Sequence, residues 1–170
     1  MKRELKPCRV LKNQLITPDC VVCGNENPSS LHAQFCDLED GRTLCIFETH
    51  QDFQSFPDRL HGGMIGMIMD ELLNRTAMFE HPGYAGVTME LNIRYRTPVP
   101  LNPQVMAVGW MTRDRARVFD ASAEVVLPDG TVAVEANARC LRVRPEDVGA
   151  GSYDEVFIED PRPFPEVVML

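Results

Sequence analysis

Four residues near the middle of the chain have the types and spacing for carbonyl chemistry: His61, Gly62, Gly63 and, nine positions past the histidine, Asp70. The stretch from Met64 to Phe79 is rich in helix formers, and apolar residues fall nearly all round it. It reads as a buried helix that starts at the glycine pair and is stopped by His81-Pro82-Gly83. The unpaired N–H groups and the macrodipole of a helix start can polarise a carbonyl and hold an oxyanion. Glycines there let a ligand approach the backbone closely, although a glycine pair alone better fits a plain loop-to-helix junction.

Asp70 shifts that balance, because an ionised carboxylate in the middle of an apolar helix is costly without partners. At ~100° per residue, Gly63, Gly66, Met67, Asp70, Asn74 and Ala77 share one face. Those side chains are mostly small, so the face is expected to leave room beside Asp70 for a substrate. Gly63 lies about two turns upstream, ~10 Å along the axis. A carbonyl held by the Gly63 N–H would then present its carbon to Asp70 or to a water held by Asp70. The competing reading makes Asp70 a structural aspartate hydrogen-bonded to Asn74 or to a neighbouring strand. Glu71 is the rival carboxylate, but it points ~100° away and has Arg75 at i+4, a spacing that favours an ion pair. His61 has a suitable unperturbed pKa for a base, yet no nucleophile stands near it, so its ring is expected to shape the helix start by packing or hydrogen bonding.

The elements that must position these residues can be read around them. Leu31–Leu38 and Thr43–Thr49 alternate and flank Asp40-Gly41, a hairpin signal. After the helix, residues 87–95 alternate, with Val87, Met89, Leu91, Ile93 and Tyr95 on one face and Thr88 among the polar residues on the other. Strands are expected at 104–112, 117–127 and 131–143, the last two joined by Asp129-Gly130. One apolar helix followed by a long antiparallel run predicts an α+β fold, a helix wrapped by a curved sheet. The division expected is an irregular segment at 1–30, a folded unit at 31–144 and an acidic, proline-containing tail at 145–170 that wraps a neighbour or stays mobile.

With 170 residues, 44% apolar and 25% charged, the composition is that of an ordinary globular chain. The net charge of −8 argues against nucleic acid as a partner, no apolar run is long enough to span a membrane, and the basic N-terminus lacks the apolar stretch of a secretory signal. A cytoplasmic location is expected. All eight basic residues from Arg94 to Arg144 are arginines, either solvated sheet faces with local ion pairs or a grip for phosphate groups. The six cysteines are expected as thiols. Cys20 and Cys23 form a single Cys-x-x-Cys pair, with Cys8 and His32 the nearest further ligands; a tight turn with thiols packed inward is favoured over zinc, and no metal is expected.

The stretches RLHGGMIGMIMDELLNR, VTMELNIRYRTPVPLN and DGTVAVEANARCLRV, preceded by CVVCGNENPSSLHAQF, resemble the hotdog-fold thioesterases, with the phenylacetate-pathway acyl-CoA thioesterases the nearest branch. The resemblance covers residues 20–143 or so. It implies a helix wrapped by an antiparallel sheet, a homodimer or dimer of dimers with active sites at the dimer interface, and hydrolysis of an acyl-CoA to a free acid and coenzyme A. It places the acid on Asp70, the position used in some branches on Glu71, and the carbonyl-polarising N–H on Gly63. His61 stands beside them, and Gly62, Met67, Asn74 and Thr88 are the expected substrate-facing neighbours. Coenzyme A phosphates would fall to Arg94, Arg96 and Arg113, and Gln51 or Gln54 would complete the site; no cofactor is implied beyond the coenzyme A of the substrate. The competing functions are a non-catalytic acyl-CoA-binding module and an enoyl-CoA hydratase or dehydratase.

Overall fold

The computed structural model describes residues 2–101 and 104–170. Asn102, at the end of one of the resembling stretches, lies outside the described residues. The chain opens with strand β1 (Pro7–Asn13), then the hairpin of β2 (Gln34–Leu38) and β3 (Thr43–Glu48), then helix α1 (Gly62–Glu80). Strands β4 (Ala85–Tyr95), β5 (Gln104–Asp114), β6 (Val118–Val126) and β7 (Val132–Val143) follow, and a one-turn helix α2 (Tyr153–Val156) and strand β8 (Val167–Met169) close the order. Every described strand pairing is antiparallel, in one sheet of order β4-β7-β6-β5-β3-β2-β1-β8. Both expected hairpin turns form, with Gly41 at φ 84° and Gly130 at φ 83° in the left-handed region that glycine tolerates.

Helix α1 packs across one face of this sheet, against β3, β4, β5, β6 and β7, which buries its apolar sides. Its Ile65, Ile68, Met69, Leu72 and Leu73 pack with Phe35, Phe47, Val105, Phe119 and Val125. A second apolar cluster lies on the opposite face, where Leu44, Ile46 and Val108 meet Cys8, Val10, Val168 and Leu170 from the two ends of the chain.

Two expectations need correction. The segment 1–30 is not irregular throughout, because Cys8 and Val10 alternate with exposed Pro7, Arg9 and Leu11 to give β1. The segment after Arg144 does not trail away: Ile158 exchanges backbone hydrogen bonds with Ile16 at 2.8 Å, and β8 pairs with β1. Arg162 clamps this return by donating to the carbonyls of His32 (2.6 Å) and Ala33 (3.2 Å) while paired to the buried Asp160 at 2.6 Å. Among the described residues, no helix is long and apolar enough to cross a membrane.

Candidate active site

His61 takes extended backbone angles and caps α1, its Nδ1 accepting the Gly63 N–H at 2.9 Å. The ring thus shapes the helix start, as its sequence setting suggested. The same bond occupies the donor expected to polarise a carbonyl. His61 is exposed and can rotate away without opening the core. The neighbouring Gly62 N–H meets no acceptor among the described residues. The Gly62 carbonyl accepts from the Tyr95 hydroxyl at 2.8 Å.

The small-residue face is not vacant along its length. A Cβ on Gly62 would sit 3.6 Å from the Tyr95 ring, and one on Gly66 3.7 Å from Ile93 Cδ1. Strand β4 thus lies within ordinary contact distance of the helix at these two positions, which corrects the expectation of open room beside Gly66. At the seam of α1 and β4, Gly86 is closer still: a Cβ there would lie 2.6 Å from Asn74 Oδ1 and 2.8 Å from Asn74 Cα.

Asp70 sits half-buried where this face meets β4. Its Oδ1 accepts from the Thr88 hydroxyl at 2.6 Å, while Asn74 Nδ2 donates to Thr88 Oγ1 at 2.7 Å and to the Asp70 carbonyl at 3.1 Å. Asn74 thereby fixes the direction of the Thr88 hydroxyl, because an oxygen accepting from the amide must turn its single proton toward Asp70. The short bond is of the charge-assisted kind. Cys140, opposite Thr88 on β7, is pushed up to about 11, first by burial and then by the Asp70 charge. The structural reading of Asp70 is thus partly realised, yet only one of its two oxygens has a partner among the described residues.

Strict alternation puts Thr88 on the face of β4 opposite Tyr95. The pairing register slips at Met89: Thr88 opposes Cys140, Glu90 opposes Arg139 and Leu91 opposes Ala138. That β-bulge turns Thr88 to the same side as Leu91, Ile93 and Tyr95, the side of α1. Tyr95 was not among the expected site residues, and the aromatic end of the β4 apolar run was the signal for it.

The other candidates separate from this group. Glu71 points to the far side of α1, its Oε1 2.8 Å from Arg75 Nε and 3.8 Å from Cys23 Sγ. Met67 packs partly buried against the core. Arg94, Arg96 and Arg113 alternate away from the helix onto the outer face, where Arg96 is paired with Glu135 at 2.7 Å. Arg94 and Arg113 have no ion pair within 4 Å among the described residues. Gln54 Oε1 accepts the Asp58 N–H at 2.9 Å, and Gln51 is exposed.

Strand β4 is the long open edge of the sheet, and among the described strands it pairs with β7 alone. Its Val87, Met89, Leu91 and Tyr95 are each 36–58% exposed, an apolar edge that invites a further strand.

Residues 58–143 match the Thioesterase superfamily. The chain is 29% identical to the mouse acyl-coenzyme A thioesterase THEM4 over 116 residues, which are 68% of this chain and 49% of that protein. It therefore spans about half the length of the curated relatives it matches. Among solved structures it resembles the thioesterase superfamily protein RHA08564, with TM-score 0.68, 24% identity and coverage of 74% of this chain and 61% of that one. It also resembles the E. coli PaaI protein from the phenylacetic acid degradation operon, with TM-score 0.60, 13% identity and coverage of 66% and 80%. The fold held in common with these structures is the hotdog fold.

Proposed function

The chain belongs to the thioesterase superfamily, and from that premise we propose that it hydrolyses an acyl-CoA thioester to a free acid and coenzyme A, with Asp70 as the reacting carboxylate. The observation that carries this reading is the Asn74–Thr88–Asp70 chain: it orients one carboxylate oxygen and, among the described residues, leaves the other without a hydrogen bond. The name of the THEM4 relative supports acyl-CoA as the substrate class.

In the general-base route, Asp70 removes a proton from water as the water oxygen attacks the thioester carbon. The oxyanion that forms is held by N–H groups at the helix start. Collapse breaks the C–S bond, and the departing thiolate recovers the proton from Asp70. In the nucleophilic route, Asp70 itself bonds to the carbon, expels the thiolate and leaves an anhydride that water then cleaves. Both routes need the carbonyl at the glycines. There the Gly62 N–H is available at once, and the Gly63 N–H becomes available when His61 turns aside.

A second copy of the chain completes the site in this proposal. The β4 edge carries Thr88 beside Asp70, so a strand added to that edge passes close to the carboxylate and covers the exposed apolar row. Arg94, Arg96 and Arg113 reach coenzyme A phosphates in this reading only across such an assembly. A non-hydrolytic acyl-CoA binder is the second reading, favoured by the Gly63 N–H being already engaged.

Thiol release from a panel of short, medium, long and aromatic acyl-CoAs separates the two. Asp70→Asn is expected to lower turnover by ~10²–10⁴-fold with its melting temperature little changed. Wild-type turnover in a folded Asp70→Asn variant removes Asp70 from the reaction, and binding of acyl-CoA without thiol release favours the binder.

A further inference from the structure

On the side of α1 away from Asp70, the N-terminal segment brings a second set of chemically capable groups onto the helix. Cys20 Sγ, Cys23 Sγ and a Glu71 carboxylate oxygen all lie within 4.8 Å of one another. We propose that Cys20, Cys23 and Glu71 form a metal-binding site for Zn²⁺ that ties the N-terminal segment to α1.

The loop around the two cysteines is built as a tight knuckle. The Val22 N–H points at Cys20 Sγ at 3.3 Å, and the Gly24 N–H closes the turn on the Cys20 carbonyl at 2.9 Å. Position 24 admits only glycine, because a Cβ there would lie 2.2 Å from the Pro18 carbonyl oxygen and 2.6 Å from that of Cys20. His32 Nδ1 contacts the Gly24 carbonyl at 3.0 Å and Asn27 Nδ2 donates to the Asp19 carbonyl at 3.0 Å, so the loop is held from both flanks. Such a fold directs both sulfurs to one point. With Zn–S about 2.3 Å and Zn–O about 2.0–2.2 Å, neighbouring donors of a tetrahedral ion lie ~3.6–3.8 Å apart. The 3.8 Å between Cys23 Sγ and Glu71 Oε1 already has that spacing.

The surroundings fit a thiolate site better than a packed core. Cys23 is buried in the same apolar cluster as Cys45, but it differs from that core thiol in facing a guanidinium and a carboxylate. Arg75, 2% exposed, donates to Cys23 Sγ at 3.0 Å, to Glu71 Oε1 at 2.8 Å and to the Leu15 carbonyl at 2.7 Å. It is an outer-sphere partner of the kind that orients metal ligands. Glu71 Oε1 accepts from Arg75 Nε and keeps a further lone pair for the ion. Two thiolates, one carboxylate and one guanidinium carry a net charge of −2, which a divalent cation cancels. Binding sends the two thiol protons to solvent. Two sulfurs and one oxygen in tetrahedral array suit zinc rather than magnesium or calcium. Cys20 and Glu71 are only half-buried, so water takes the fourth position. The third ligand comes from the helix, not from Cys8 or His32, the neighbours nearest in sequence.

The test is a titration of the reduced, chelator-treated full chain with Co²⁺ and then Zn²⁺. The expected result is a sulfur-to-cobalt charge-transfer band with the visible absorption of tetrahedral Co²⁺, displaced by one Zn²⁺ per chain. Cys20→Ser, Cys23→Ser and Glu71→Gln should each weaken Zn²⁺ by at least ~10–100-fold, since loss of an outer-sphere partner alone costs that much. Cys8→Ser should leave the affinity unchanged. A charge-transfer band that is absent from the wild type, or equally strong in Cys20→Ser, overturns the proposal. So does a reduced wild type that binds no Zn²⁺ while the unreduced protein yields a Cys20–Cys23 disulfide. If the cysteine variants fail to fold, the wild-type spectrum and its Zn²⁺-dependent rise in melting temperature decide alone: both present support the site, and either absent refutes it.

Discussion

Replacing Thr88 by valine removes one hydroxyl and almost no volume, so it isolates the hydrogen bond that aims Asp70. In the wild type, Thr88 Oγ1 accepts from Asn74 at 2.7 Å and donates to Asp70 Oδ1 at 2.6 Å. Hydrogen bonds to a charged partner contribute ~1.5–3 kcal/mol. If that energy serves to hold the carboxylate in its reactive orientation, its loss raises the barrier by about the same amount. At ~1.4 kcal/mol per decade, kcat then falls ~10–150-fold. KM should change by less than about threefold, because the substrate's own contacts at the helix start are untouched. The assay is thiol release under saturating acyl-CoA, with a thermal melt on the same sample. Thr88→Ser is the rescue, since it restores the hydroxyl at the same atom position and should recover most of the rate. A valine variant with wild-type kcat would show that Asp70 needs no orienting partner. A serine variant as slow as valine would show that the methyl group matters and the hydroxyl does not. Either result refutes the relay.

Further predictions follow from the packing of α1. Gly86→Ala should destabilise the fold by ~1–3 kcal/mol, read as a lower melting temperature, and slow turnover with it; the new Cβ collides with Asn74 backbone and side chain, the far end of the same hydrogen-bond chain. Arg75→Met should cost ~3–5 kcal/mol in denaturant unfolding, because it leaves the Glu71 carboxylate and the Leu15 carbonyl without their buried partner. Leu91→Lys on the open β4 edge should shift the protein toward a smaller species by light scattering and lower its thiol-release activity; a variant of unchanged mass and rate would take the β4 edge out of the assembly.

The helix and both hairpins were legible because each has a strong local signal: an all-round apolar run ended by His81-Pro82-Gly83, and Asp-Gly pairs between alternating strands. The local sequence also sufficed for the Glu71–Arg75 pair, which i+4 spacing alone creates. The terminal strands were not legible. β1 is seven residues with charged members, held between β2 and β8, and β8 is three residues that pair with β1 across the two ends of the chain. Thr88 was named through the resemblance as a substrate-facing neighbour, but its role as the orienting partner of Asp70 was hidden for a different reason. Period-two alternation assigns Thr88 to the outer face, and only the extra residue at Met89 reverses it, a feature set by pairing with β7 rather than by β4 itself. The arginines' roles depend on partners on neighbouring strands that local sequence does not show, such as Glu135 for Arg96 and Asp120 for Arg139. Consecutive positions on α1 then explain why two adjacent acids take separate roles. A step of ~100° carries Asp70 to the bulged strand and Glu71 to a loop 48 residues upstream, so the helix keeps one carboxylate oriented by a hydroxyl and the other held by a guanidinium. Neither can take the other's place without a rotation of α1 that the buried Arg75 on one side and the close-packed Gly86 on the other both oppose.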